Sequence, residues 1–276
     1  MPVSLKATQM TTATGYAFLK AHLYNGEKLQ QIVHNKSSFI FQKPLTQLRK
    51  HYLLAIIFFD FFVFCARIYY MIKAVIFDYG NVISITNTGD CAEKMQELTN
   101  VPADIFRKAY SDFRFDFDRC LISGAEMYSR TLKANGYENI ANNMTLMEEI
   151  ARLDLESWRV FHLDVTNWGL LLQKAGFKLG ILSNMPHEFL DFYEKDIPLF
   201  TAADCAIFSC RVHLIKPEPA IYKIILEGLN VKPEEAVFFD DLSENIEAAN
   251  KLGIHGILWN GLNDAQKQFA NVLKNN

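Results

Sequence analysis

The chain has 276 residues, half of them hydrophobic and about a fifth charged, which is enough apolar material for a full core and excludes a disordered chain. Its net charge of −3 hides an asymmetry: residues 1–70 hold eight Lys/Arg against only Glu27 and Asp60, so the remainder is acidic. Binding to a phosphate backbone needs a basic face, so nucleic acid is not an expected partner.

Residues 1–50 are polar and weakly patterned, and a dense apolar run at 52–64 follows, with Arg49 and Lys50 before it and Arg67 after it. As a membrane span the run falls short of the about 20 residues required, and Asp60 within it would cost roughly 2.5–3.5 kcal/mol, so membrane attachment is not favoured. As a secretory signal it starts too far into the chain. Met71 comes a few residues later, directly before a strand expected in the middle of a sheet. Met71 is therefore expected to be the working start, with residues 1–70 an upstream extension or an unconventional leader; a membrane anchor and a transit segment are the alternatives. Cys65, Cys91, Cys120, Cys205 and Cys210 are odd in number and lack a C-x-x-C pair. They read as reduced thiols in a cytoplasmic protein.

The segment Ala74–Ile83 is a run of β-favouring apolar residues broken by Asp78 and Gly80. In a parallel sheet, ligands bind beyond the carboxyl ends of the strands, so a carboxylate there faces a site, although Asp-x-Gly after a strand is also ordinary turn chemistry. From Ser84 to about Asp164 the patterns are helical: Cys91–Thr99, Pro102–Phe113, Gly124–Ala134 and Thr145–Trp158. Their aromatic stripes read as bundle core; Arg114, Asp116, Asp118 and Arg119 either face a substrate or, the favoured reading, form a solvated helix end. From Val165 the pattern alternates: a helix through Ala175, strand Lys178–Leu182, helix Glu188–Glu194, strand Ala206–Ser209 and helix Pro219–Leu229. Strand Ala236–Phe239, helix Ser243–Leu252, strand Gly256–Trp259 and helix Ala265–Leu273 complete it. Gly176 and Gly253 stand where helices end. The expected fold is α/β, a doubly wound, Rossmann-like parallel sheet built from 71–84 and 165–276, with a small all-helical cap at 85–164 inserted after the first strand.

Polar groups recur where an apolar strand or a turn ends: Asp78, then Ser183-Asn184, then Lys216-Pro217, then Asp240-Asp241. An aspartate can attack phosphorus and divide a hard hydrolysis into two steps. No G-x-S-x-G elbow or G-x-x-x-x-G-K-[ST] loop offers a rival. A carboxylate nears a phosphate dianion only with countercharge, and Mg²⁺, which favours one or two carboxylates plus phosphate oxygens, suits Asp78 with one of Asp240 and Asp241.

In content and order these motifs resemble those of the haloacid dehalogenase (HAD) superfamily of aspartate-nucleophile hydrolases over about residues 72–276. Lys216–Tyr222 and Phe238–Asp241 look most like its phosphatase branch with an inserted helical cap. The resemblance implies a Mg²⁺-dependent phosphatase of a small phosphorylated metabolite, with Asp78 as nucleophile and Ser183, Asn184 and Lys216 binding the phosphoryl group. It further implies that Asp78, the Gly80 carbonyl and Asp241 ligate the metal, with Asp240 supporting them; Asn245 is a partner of the acidic pair. One position departs: Gly80 stands where such phosphatases carry a second Asp as general acid and base. Acidic leaving groups are then expected to be favoured, sugar 1-phosphates over 6-phosphates. The alternatives are a catalytically silent binding or regulatory protein and a dehalogenase-like hydrolase without metal, although Tyr79 lies one residue after Asp78 rather than two.

Overall fold

A computed structural model of the chain describes residues 72–85 and 90–276; the expectations for residues 1–70, including the apolar run at 52–64, lie outside them. Five parallel strands form one sheet: β1 (Ala74–Phe77), β2 (Lys178–Ser183), β3 (Cys205–Phe208), β4 (Ala236–Asp240) and β5 (His255–Leu258), in the order β3-β2-β1-β4-β5. The chain builds outward from β1 on one side and then crosses to β4 on the other, so strand order reverses at β1/β4. A crevice opens at such a point, beyond the carboxyl ends of the strands. Phe77 lies opposite Ile181 and Phe239, which sets Asp78 level with Asp240.

Between β1 and β2 the chain forms α1 (Asp90–Thr99), α2 (Ala103–Asp118), α3 (Gly124–Ala134), α4 (Glu138–Ala141), α5 (Met144–Ser157) and α6 (Leu163–Lys174). Two of these start on side-chain caps, Ser123 accepting from the Glu126 N–H at 3.1 Å and Asn143 from the Leu146 N–H at 3.2 Å, which satisfies donors left open by the first turn. Apolar stripes such as Phe106 and Ala109 on α2, Met127, Tyr128 and Leu132 on α3, and Met147 and Ile150 on α5 are buried against one another. The outgoing and returning strands of this segment meet in one antiparallel bridge, Ser84 with Phe161; Ile85 donates to the Val160 carbonyl and His162 to that of Ile83, both at 2.8 Å.

After β2 come α7 (His187–Tyr193), α8 (Pro198–Ala202), α9 (Ser209–Val212), α10 (Pro219–Leu229), α11 (Ser243–Lys251) and α12 (Leu262–Asn275). One sheet face carries an aromatic cluster: Phe77 stacks on Phe239 at 4.9 Å, and Trp168 of α6 meets them at 5.5 and 5.2 Å. Such pairs add about 0.5–1.5 kcal/mol each beyond area burial and fix β1 against β4, hence the spacing of the carboxylates that follow. The opposite face is covered by Ile221, Tyr222 and Ile225 of α10 and Ile246 and Ala249 of α11. Gly176 and Gly253 close their helices at φ 102° and 91°, a region that favours glycine.

The α/β parallel architecture is as expected from sequence. Strand ends shift by one residue in β3 and β5, because Ser209 and Trp259 fall outside their ladders. Helices α4, α8 and α9 escaped prediction, since four or five residues are too few to display a 3.6-residue period. Among the described residues, no helix is long and apolar enough to cross a membrane.

Candidate active site

Asp78 follows β1 directly and is held there by its backbone N–H, which donates to the Phe239 carbonyl at 2.9 Å. Lys216 reaches it from the loop before α10, its Nζ 2.7 Å from Asp78 Oδ1 and 2.7 Å from Asp240 Oδ2, and is only 2% exposed. Asn184, at the end of β2, fixes that loop from both sides: its Oδ1 accepts from the Lys216 N–H at 2.8 Å and its Nδ2 donates to the Lys216 carbonyl at 3.0 Å. The Asn184 side chain therefore aims the lysine. Ser183 is buried and lines a cavity of about 80 Å³ together with Gly80, Asn184, Arg114, Asp154 and Trp158.

The two adjacent acids have different settings. Asp240 is fully buried, with Oδ1 accepting from the Leu242 N–H and Asn245 Nδ2, both at 2.9 Å, while Oδ2 faces Lys216. Asp241 is half-buried and takes a 2.7 Å hydrogen bond on Oδ2 from Asn81, a residue at φ 55°. One oxygen each of Asp78, Asp240 and Asp241 lies within 4.8 Å of the others.

Three carboxylates at that spacing around one ammonium leave an excess of negative charge. Burial pushes Asp78 up to about 7, Lys216 pulls it down and Asp240 pushes it up again. Burial also raises Asp241. Lys216 loses solvation, yet Asp240 and Asp78 hold it above its ordinary value. A dication is the charge this donor set lacks, and oxygen ligands of this number suit a hard one. The residues present therefore fit Mg²⁺.

One expectation needs revision, and two residues of the site were missed. Arg114 and Asp118 do not form a solvated helix end: Arg114 Nε is 2.8 Å from Asp118 Oδ1, and Asp118 is 3% exposed. The C-terminal end of α2 packs onto the sheet domain, where Ser209 Oγ donates to the Asp118 carbonyl at 2.6 Å and Arg119 pairs with Glu218. Asp154 and Trp158, not singled out from sequence, wall the cavity from α5 and its end. A signal was present, because Asp154 shares the i, i+3, i+7 stripe of Met147 and Ile150. A carboxylate on an apolar stripe marks a buried polar site.

A doubly wound sheet thus gathers three carboxylates and a buried lysine at its switch point. The profile of the family described as hydrolase, haloacid dehalogenase-like hydrolase, matches residues 72–253, and the chain belongs to that family. It is 26% identical over 220 residues to bifunctional epoxide hydrolase 2 of Mus musculus, covering 73% of this chain and 39% of that protein. It is 42% identical over 91 residues to a phosphorylated carbohydrates phosphatase of Thermotoga maritima, covering 32% of this chain and 42% of that protein. The chain thus spans less than half the length of both curated relatives. In fold it is similar to a HAD family enzyme of Bacteroides thetaiotaomicron, solved with magnesium and inorganic phosphate, at a TM-score of 0.52 and 20% identity over 68% of this chain and 93% of that one.

Proposed function

We propose that the chain is a Mg²⁺-dependent phosphatase of a small phosphorylated metabolite, working through an aspartyl-phosphate on Asp78. The observation that carries this reading is the pairing of Asp78 with Lys216 beside two further carboxylates, a nucleophile held in a site short of positive charge. Asp78, the Gly80 carbonyl and Asp241 would hold the ion, with Asp240 fixed behind them by Lys216, Leu242 and Asn245. When bound, Mg²⁺ supplies Lewis-acid charge stabilisation to the phosphoryl oxygens and keeps Asp78 ionised.

Asp78 attacks phosphorus, the ester oxygen departs, and water then cleaves the acyl phosphate. Lys216 holds Asp78 in line and offsets charge on the transferred group; Ser183 contributes a hydroxyl donor to the same oxygens. The Asn184 side chain serves through Lys216. The helices of 90–157 act as a cap that excludes water. The core itself offers no proton at Gly80, so acidic leaving groups, sugar 1-phosphates among them, leave without help from the core, and any other ester needs a donor from the cap. Free thiols at Cys120, Cys205 and Cys210 suit a reducing, cytoplasmic setting.

The test is a phosphate-release screen over a metabolite panel with Mg²⁺ and with a chelator. Turnover that requires Mg²⁺ supports the reading; turnover of a haloacid without metal points to the dehalogenase-like alternative. No turnover of any phosphate ester leaves a binding or regulatory protein.

A further inference from the structure

Gly80 deprives the core of a proton donor, yet the cavity beside it has a second wall. The ionisable groups lining that cavity are Tyr79, Arg114 and Asp154. Arginine keeps its proton. The Tyr79 hydroxyl is committed to the Trp158 carbonyl at 2.6 Å, and burial holds it far above its ordinary value. Asp154 is the remaining group. It sits on α5 one turn before Trp158, whose ring carbon Cζ3 lies 3.9 Å from where a Cβ at position 80 would stand. The element that carries Asp154 therefore flanks the space a side chain at position 80 would enter. Asp154 and Trp158 also line a second chamber of about 300 Å³, walled by Met95 and Phe106, so Asp154 lines both cavities.

The groups that face Asp154 are Arg107, Tyr110, Arg114 and Asp118 from α2, Tyr128 from α3 and Cys91 from α1. Tyr110 hydrogen-bonds Asp154 Oδ1 and receives the Trp158 Nε1–H at 2.9 Å. Arg107 and Arg114 are the cations among them: Arg107 pairs with Glu93 and with Asp104, and the close ion pair of Arg114 is with Asp118 at 2.8 Å, the guanidinium lying 4.7 Å over the Tyr110 ring. One guanidinium is shared between two buried carboxylates and is closest to Asp118, while the hydrogen-bond partners of Asp154 are neutral. Burial raises Asp154, and Arg114 with the Tyr110, Tyr128 and Trp158 hydrogen bonds only partly offsets that. Its proton is thus retained further toward neutral pH than that of an ordinary aspartic acid.

We propose that Asp154 is the catalytic acid and base that replaces the side chain missing at Gly80; this rests on the phosphatase reading above. In the first half-reaction an Asp78 oxygen bonds to phosphorus, the P–O bond to the organic group breaks, and the Asp154 carboxyl gives its proton to the departing oxygen, releasing an alcohol. In the second, a water oxygen bonds to phosphorus, its proton returns to the Asp154 carboxylate, and the Asp78–phosphorus bond breaks to release inorganic phosphate. Both residues end as they began.

The experiment compares kcat/KM for p-nitrophenyl phosphate, whose leaving group needs no proton, with that for n-butyl phosphate, in the wild-type chain and in Asp154→Asn. A general acid is worth about 10²–10⁴-fold. The variant should lose that factor on the butyl ester, lose less than about fivefold on the aryl ester, and lack the fall of butyl-ester kcat/KM with rising pH expected of the wild type. Adding Gly80→Asp to Asp154→Asn should recover part of the butyl-ester rate. Equal losses on the two esters, the outcome of a merely structural role, would overturn the assignment and leave the phosphatase reading standing; failure of the wild type on both esters ends both. If Asp154→Asn does not fold, a leaving-group series in the wild type decides: the dependence of rate on leaving-group acidity should steepen as pH rises and the acid loses its proton, and an equally steep dependence at every pH refutes the proposal.

Discussion

Replacing Lys216 with Met removes the cation on which two buried carboxylates converge and keeps much of the side-chain volume. At an effective dielectric of about 20, each of its two 2.7 Å ion pairs is worth ~6 kcal/mol before desolvation. Desolvation of three buried ions cancels most of that, several kcal/mol for each. The variant loses the attraction and leaves Asp78 and Asp240 facing each other without a shared partner. Breaking a buried pair in this way costs about 3–5 kcal/mol, and at 2–4 °C per kcal/mol for a domain of this size the fall in Tm is about 6–20 °C. The dependence on pH follows from the sign of the Asp78 shift. A folded-state pKa raised to about 7 contributes stability that is complete below the ordinary carboxylate range and is lost as pH rises through 7. With Lys216 gone that loss steepens, so the deficit should be largest at pH 8, smaller at pH 5, and reduced at pH 8 by Mg²⁺. The assay is calorimetry of both proteins at the two pH values, with and without the ion. A fall in Tm below about 3 °C at pH 8, or one equally large at pH 5, would refute the account of the site as short of positive charge.

Asp78→Asn should keep its fold by circular dichroism and retain less than about 1% of phosphate release, because an amide is nearly isosteric but a poor nucleophile; retention of several per cent would remove Asp78 from that role. Asp241→Ala should shift the Mg²⁺ activation curve by about tenfold or more with little change in Tm. Asp240→Ala should instead lower Tm by several degrees, since it strands Lys216 and Asn245 in the core; coincident metal titrations for the two variants would erase the distinction. Glu235, 5% exposed, loses solvation on burial but accepts from the Lys232 N–H at 3.0 Å and from Lys73 Nζ at 2.5 Å, and is held below its ordinary pKa. Its contribution is present above the ordinary glutamate range and fades as pH falls through the lowered value, so Glu235→Gln should cost about 1 kcal/mol at pH 7 and nothing measurable at pH 2 to 3 in denaturant titrations.

Gly80 shows how far the local chain reaches. From sequence, the tolerance of this position toward a side chain was open, because a glycine after a strand often takes a positive φ. Gly80 is not among the glycines with positive φ, and a Cβ there would make ordinary contacts with Asp78 and Trp158. Whether a longer side chain is accepted therefore depends on Trp158, 78 residues further on.

The sequence by itself determined what depends on short-range pattern. Short continuous apolar runs and stripes of period 3.6 specified the α/β alternation, and polar groups ending those runs or the turn before a helix named Asp78, Ser183, Lys216, Asp240 and Asp241, because the carboxyl ends of parallel strands share one edge of the sheet. Tertiary structure alone decided which partner each group meets. The commitment of the Asn184 side chain to the Lys216 backbone, the burial of Arg114 with Asp118, and the arrival of Asp154 beside Gly80 join segments brought together only when the helices pack over the strand ends. A hydrogen bond or ion pair depends on distances of a few tenths of an ångström between residues remote in the chain, and those distances follow from the packing of the whole core.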